Sequence, residues 1–151
     1  MTTIHLITKI NAPKETVFNL NTNIDVHKQS VSFSNEKAIA GITSGQIVLD
    51  ETVTWRGKHF GVYLTHTSRI TAFEFPSYFV DEMEEGKFKS FRHEHFFEEE
   101  NGITTMTDKM QYETPFGVFG KLFNSLLLKK HLSNFLIERN LFLKNLAENQ
   151  N

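Results

Sequence analysis

Hydrophobic and polar residues alternate with period two over much of the chain, and in its last third they switch to a helical period. Residues 4–10 set Ile4, Leu6, Thr8 and Ile10 against His5, Ile7 and Lys9, the pattern of a strand. Asn11-Ala12-Pro13 ends it, and the proline suits the first turn of a short helix running through Val17 and Phe18. A second short helix is expected over residues 24–29, with Asn23 or Asp25 near its cap. Residues 30–42 follow neither period; Glu36-Lys37-Ala38-Ile39-Ala40 reads equally as strand or helical turn. Beyond Gly45, residues 47–55, 60–73, 78–83, 88–99 and 103–112 all read as strands. Gly57-Lys58, Phe75-Pro76-Ser77, Glu85-Gly86 and Asn101-Gly102 lie between them as turns, and Asn-Gly between alternating runs is a strong hairpin signal.

The last third opens with Pro115-Phe116-Gly117-Val118-Phe119-Gly120 and then carries neither proline nor glycine. Residues 116–146 can form one helix of about 45 Å at 1.5 Å per residue. Its polarity is two-sided. Leu128, Leu132, Phe135, Leu136, Phe142, Leu143 and Leu146 form one stripe, and Phe116, Phe119, Phe123, Leu126, Ile137 and Leu141 fall opposite. Either the helix bends near residues 129–131 or two different things touch it. Arg139 sits in the first stripe, among Phe135, Leu136, Phe142 and Leu143. One reading lets it snorkel to water; the other turns it inward to a carboxylate or an anionic ligand group.

Strand, two short helices, about six further strands and a long terminal helix make an α+β order. The opening Ile10-Asn11-Ala12-Pro13-Lys14-Glu15-Thr16-Val17-Phe18 resembles the start of the helix-grip proteins, the SRPBCC superfamily of START, birch-pollen-allergen-like and polyketide-cyclase-like domains. Val53-Thr54-Trp55, His59-Phe60-Gly61, Phe79-Val80-Asp81, Gly86-Lys87-Phe88, Arg92-His93-Glu94-His95 and Tyr112-Glu113-Thr114-Pro115-Phe116-Gly117 are similar to a bacterial branch of it. The resemblance covers nearly the whole chain. It implies a single domain over residues 1–151, with a seven-stranded curved antiparallel sheet wrapped around the C-terminal helix. It also implies a cavity between them for apolar or amphipathic molecules. One fold hosts many functions, so binding and cyclase or lyase chemistry both stay open.

Composition narrows the classes. A net charge of −2 without a basic cluster argues against nucleic acid as a partner. With no cysteine there is no disulfide, thiolate metal site or cysteine nucleophile. No apolar run reaches the ~18 residues that span a bilayer, and the start of the chain does not read as a signal peptide, so a cytoplasmic protein is expected. Fifteen phenylalanines in 151 residues point to a bulky core or an aromatic-lined pocket.

A two-residue Asn101-Gly102 turn pairs His95 with Asp108, His93 with Met110, Phe97 with Met106 and Phe91 with Tyr112. These eight residues then share the helix-facing side, because the alternate set, Thr105, Thr107, Lys109, Gln111 and Glu113, is plainly solvated. A turn at Gly57-Lys58 would pair Trp55 with Phe60, Val53 with Val62, Glu51 with Leu64 and Leu49 with His66. The interior would then hold Glu51, His66, His93, His95, Asp108 and Arg139. That many ionisable groups require pairing or a wet cavity.

Three readings follow. His95 and Asp108 form a satisfied structural pair. Alternatively, Trp55, His66, Phe91, His93, His95, Phe97, Met106, Asp108, Met110, Tyr112, Phe135 and Arg139 line a pocket for a hydrophobic or amphipathic molecule. A catalytic version makes His95, oriented by Asp108, an acid or base in a cyclase- or dehydratase-type reaction, with Arg139 on the substrate. In the third reading His93-x-His95 with Asp108 holds a metal; His-x-His on a strand is common by chance, and no metal or other cofactor is assigned. The Asp81-Glu82-Glu84-Glu85 and Glu98-Glu99-Glu100 groups read as solvated turn ends. An interaction module is a separate class: Phe119, Phe123, Ile137 and Leu141 would dock a partner or a second copy, making the protein a monomer or a homodimer.

Overall fold

The chain enters the sheet at one edge, crosses to the other, and then builds the sheet back strand by strand. The computed structural model describes residues 1–150. β1 (Thr2–Ile10) forms the first edge; α1 (Lys14–Asn21), α2 (Ile24–Ser30) and a 3₁₀ turn (Ser32–Ser34) lead to β2 (Lys37–Gly41) at the far edge. β3 (Thr52–His59), β4 (Val62–Glu74), β5 (Tyr78–Glu85), β6 (Ser90–Glu100) and β7 (Ile103–Glu113) return by antiparallel pairings, so that β7 closes on β1. Then come α3 (Gly117–Phe123), a π-helical turn (Asn124–Leu128) and α4 (Lys129–Glu148).

Local chemistry explains the short elements. Pro13 precedes α1 in an extended conformation. Asn23 caps α2 by accepting a hydrogen bond from the Val26 amide. The ambiguous stretch 30–42 divides into the 3₁₀ turn and β2. Its alternation is illegible because β2 is an edge strand exposed along nearly its whole length, with a bulge between Ala38 and Ala40.

The Asn101-Gly102 hairpin has the expected register, with His95 opposite Asp108 and His93 opposite Met110. Both turn residues take positive φ, 54° and 78°. The other hairpin turns at Phe60-Gly61, at φ 52° and 79°, and not at Gly57-Lys58. Trp55 therefore pairs with His66 and Val53 with Ser68. The register moves by an even number of residues, so Trp55 and His66 keep the inward face. Glu51 and Leu49 leave it: both precede β3, Leu49 is exposed, and Glu51 accepts from the Val48 amide.

The helical run from Gly117 to Glu148 spans 32 residues, about 48 Å. The expected irregularity lies one turn earlier than residues 129–131. The π turn adds a residue between α3 and α4 and so rotates the buried face, which accounts for the two stripes. It is pinned by Asn124, which accepts from the Tyr112 hydroxyl and donates to Thr2 Oγ1 at 2.9 Å. Leu128, at the end of the π turn, and Leu136 and Leu143 on α4 are buried, whereas Phe119, Phe123, Ile137 and Leu141 are exposed.

The core falls into two apolar clusters. Around α1, Phe18 meets Phe73, Phe75, Phe79 and Phe97 edge-on at 5.2–5.5 Å. The second cluster joins Leu128 and Leu136 to Ile4, Met110 and Tyr112. Space remains between helix and sheet.

Candidate ligand cavity and its polar end

The space has two adjoining parts that share lining residues. The outer part is about 740 Å³ and almost wholly apolar, walled by Leu64, Phe88, Phe123, Leu128 and Leu132, among others. Phe116 and Phe119 stand at its rim, 83% and 76% exposed. The inner part is about 160 Å³ and is lined by Asp81, His93, His95 and Arg139 together with Ile24, Phe79 and Leu136. Trp55, His66, Phe91, Met110 and Phe135 line both parts.

The acidic and imidazole groups of the inner end come from three strands. Asp81 stands on β5 opposite His93 of β6, and Asp108 on β7 opposite His95. The short contacts run diagonally to this register. His93 Nε2 lies 2.8 Å from Asp108 Oδ1, and His95 Nε2 lies 2.7 Å from Asp81 Oδ2. His95 Nδ1 lies 3.4 Å from Asp108 Oδ1 and makes no hydrogen bond, although it is buried. His95 thus stands opposite Asp108 as the register predicts and keeps a 3.4 Å contact with it, but its closest partner is Asp81, and Asp108 takes His93. His95 is held flat against Phe79, with ring centres 4.0 Å apart.

Arg139 is buried and turned inward from α4. Its Nη1 donates to Asp108 Oδ1 at 3.2 Å and to Asn140 Oδ1 at 3.1 Å, and its Nη2 donates to Asn21 Oδ1 at 2.6 Å. Asn140 Nδ2 also donates to Asp108 Oδ2 at 2.7 Å. A fully buried carboxylate thus receives donors from both β6 and α4, which is what its burial requires.

Burial pushes the Asp108 carboxyl up, but the His93 hydrogen bond, the close His95 imidazole and the Arg139 charge outweigh it and hold the group well below its usual range. Burial acts the same way on Asp81; the His95 hydrogen bond and the nearby imidazoles bring it down to about 2. Burial and the neighbouring His95 lower His93, and burial lowers His66. Two carboxylates, Asp81 and Asp108, stand beside the single guanidinium of Arg139, so the inner end suits a hydrogen-bond donor better than an anion.

Several sequence candidates do not line the space. Phe97, Met106 and Tyr112 are fully buried in the core clusters, and Asp108 lies behind His93 and Arg139, fully buried. Asp81, which the sequence pattern assigns to a solvated turn end, is the main omission. It shares its face with Phe79, two residues earlier, and that alternation is the available signal. Asn21 and Asn140 have no signal beyond lying near buried positions. His59 and His131, at the outer rim, face each other at 2.9 Å.

An antiparallel sheet of seven strands, two short helices between its first two strands and one long C-terminal helix across it constitute the helix-grip fold. Solved structures share it over almost the full chain. A START superfamily protein from Mycobacterium smegmatis superposes with a TM-score of 0.74 at 12% identity, covering 99% of each chain. Ginseng major latex-like protein 151 from Panax ginseng gives 0.72 at 13% identity, covering 97% of each. TTHA0849 from Thermus thermophilus gives 0.74 at 16% identity, covering 94% of this chain and 97% of the other. At these identities the likeness is one of fold. No family model and no curated protein matches the sequence.

Proposed function

We propose that this protein binds a small hydrophobic or amphipathic molecule in the space between sheet and α4, as a single helix-grip domain. The observation that carries the reading is the outer cavity. Its volume of about 740 Å³ falls within the roughly 300–1,000 Å³ of small-molecule sites, and its walls are apolar and aromatic. Its apolar walls offer dispersion contacts to an apolar body of matching size. The inner end favours a donor-bearing head.

Titration with the uncharged dye Nile red tests this. We expect saturable binding at one site per chain, weakened at least about tenfold in Leu132→Trp, which fills the outer cavity from α4. Absence of binding, or equal binding by a folded Leu132→Trp protein, would overturn the reading.

A second reading is an acid/base enzyme in the same space. The Asp81–His95 pair favours it, because an imidazole held by a carboxylate lines the chamber where a head group would lie. Its catalytic group would be His95, with Asp81, rather than Asp108, orienting it. Turnover of a bound carbonyl compound that survives His95→Gln would exclude that role.

A further inference from the structure

We infer that Asp81, His93 and His95 form a site for one divalent transition-metal ion, placed at the inner end of the proposed ligand cavity. Each residue offers one ligand atom, and these atoms lie within 4.8 Å of one another. Two atoms bound to one ion at about 2.1 Å stand at most about 4.2 Å apart, so binding draws the widest pair together, against the stacking of His95 on His93 and Phe79. His95 Nε2 and Asp81 Oδ2, 2.7 Å apart, are close to the ~3.0 Å of two ligands at right angles on such an ion. Two imidazoles and a carboxylate on one side leave further positions open, the arrangement of a site that also takes water or substrate. All three residues line the 160 Å³ chamber.

The orphaned nitrogen supplies an independent observation. His95 is only 3% exposed, yet its Nδ1 has no hydrogen-bond partner among the described residues. In the tautomer whose Nε2 donates to Asp81, Nδ1 faces Asp108 Oδ1 at 3.4 Å without a hydrogen bond. A metal on Nε2 reverses the tautomer: the proton moves to Nδ1, and the same Asp108 oxygen becomes its acceptor. The orphan is then satisfied. On the other imidazole, His93 Nε2 donates to Asp108 and leaves Nδ1 for the ion, the carboxylate–histidine support found behind metal ligands. Asp108 is itself fixed by Arg139 and Asn140, so this support is rigid.

An ion here rests on the cavity reading and deepens it, because the polar end gains a centre to which a ligand oxygen can bind. One set of measurements separates the two. Protein stripped with a chelator is titrated with Co²⁺ and Zn²⁺ by calorimetry, and the Co²⁺ complex is read by its visible absorption; Nile red binding is measured on the stripped protein. We expect one ion per chain, a Co²⁺ spectrum with nitrogen ligation, and a rise in melting temperature with Zn²⁺. Asp81→Asn and His95→Gln should each weaken affinity by at least about tenfold, and His131→Gln, at the outer rim, should not. If Asp81→Asn does not fold, the Co²⁺ spectrum of the unaltered protein decides alone. No saturable binding of either ion, or binding unchanged in a folded Asp81→Asn, would overturn the site. Nile red binding without metal binding would leave the cavity reading standing and this one refuted; metal binding without Nile red would do the reverse.

Discussion

Arg139 of α4 reaches across the interior to Asp108 of β7, and both are buried: Nη1 donates to Oδ1 at 3.2 Å, with the residues 5% and 0% exposed. Removing one partner strands the other charge without water. Asp108→Ala should cost about 3–5 kcal/mol of unfolding free energy. Asp108→Leu combined with Arg139→Met, which removes both charges, should cost clearly less than Asp108→Ala alone. Urea unfolding of the two proteins checks this, and equal losses would show that the pair is not the reason.

Acid should destabilise the metal-free protein in two stages. His93 and His66 are held below their usual 6.5, chiefly by burial. Just below pH 6.5 the unfolded chain therefore binds protons that the folded chain refuses, and stability falls as pH falls. Asp81 behaves alike at lower pH. Its carboxyl drops from 3.8 to about 2 on folding, so it contributes stability above 3.8 that is lost between 3.8 and 2. That loss is roughly 2 kcal/mol. Unfolding free energy followed from pH 7.5 to 2 after chelator treatment should fall below pH 6.5 and again below 3.8, and Asp81→Asn should reduce the second fall.

The hairpin tip at His59 is tied to α4 by His59 Nδ1 and His131 Nε2 at 2.9 Å, with Phe60 packed on His131 at 4.5 Å. Burial lowers both imidazoles; Glu36 nearby partly offsets this at His59, and His59 lowers His131 further. A neutral pair shares one proton, whereas two imidazolium ions repel. Amide protection factors in residues 57–64 should fall between pH 7 and 5. In His131→Gln that fall should disappear.

Gly120, in the first turn of the long helix, packs against the turn that precedes it. A methyl group there would meet the Pro115 carbonyl oxygen at 1.9 Å. Gly120→Ala improves helix propensity, yet the backbone contact should dominate and cost about 1–3 kcal/mol. A melting temperature that rises would show that residues 114–120 shift freely.

The β6–β7 face, with His93, His95, Asp108 and Met110 inward, was legible because an Asn-Gly turn sets register locally and only one face alternates apolar. Pro13 and Asn23 likewise announced their helices. The Phe60-Gly61 turn was not legible: Gly57 and Gly61 are both acceptable turn residues, and the pairing energy of the whole β3–β4 ladder chooses between them. The sequence also determined that helix and sheet would place ionisable groups inside. Which carboxylate meets which imidazole was decided only in three dimensions. Asp81 is brought to His95 by β5–β6 pairing, and Asp108 is drawn into a network with Asn21, Arg139 and Asn140 from two helices. Such partners are distant along the chain, and side chains lean along their strands, so contact follows packing and charge compensation rather than spacing.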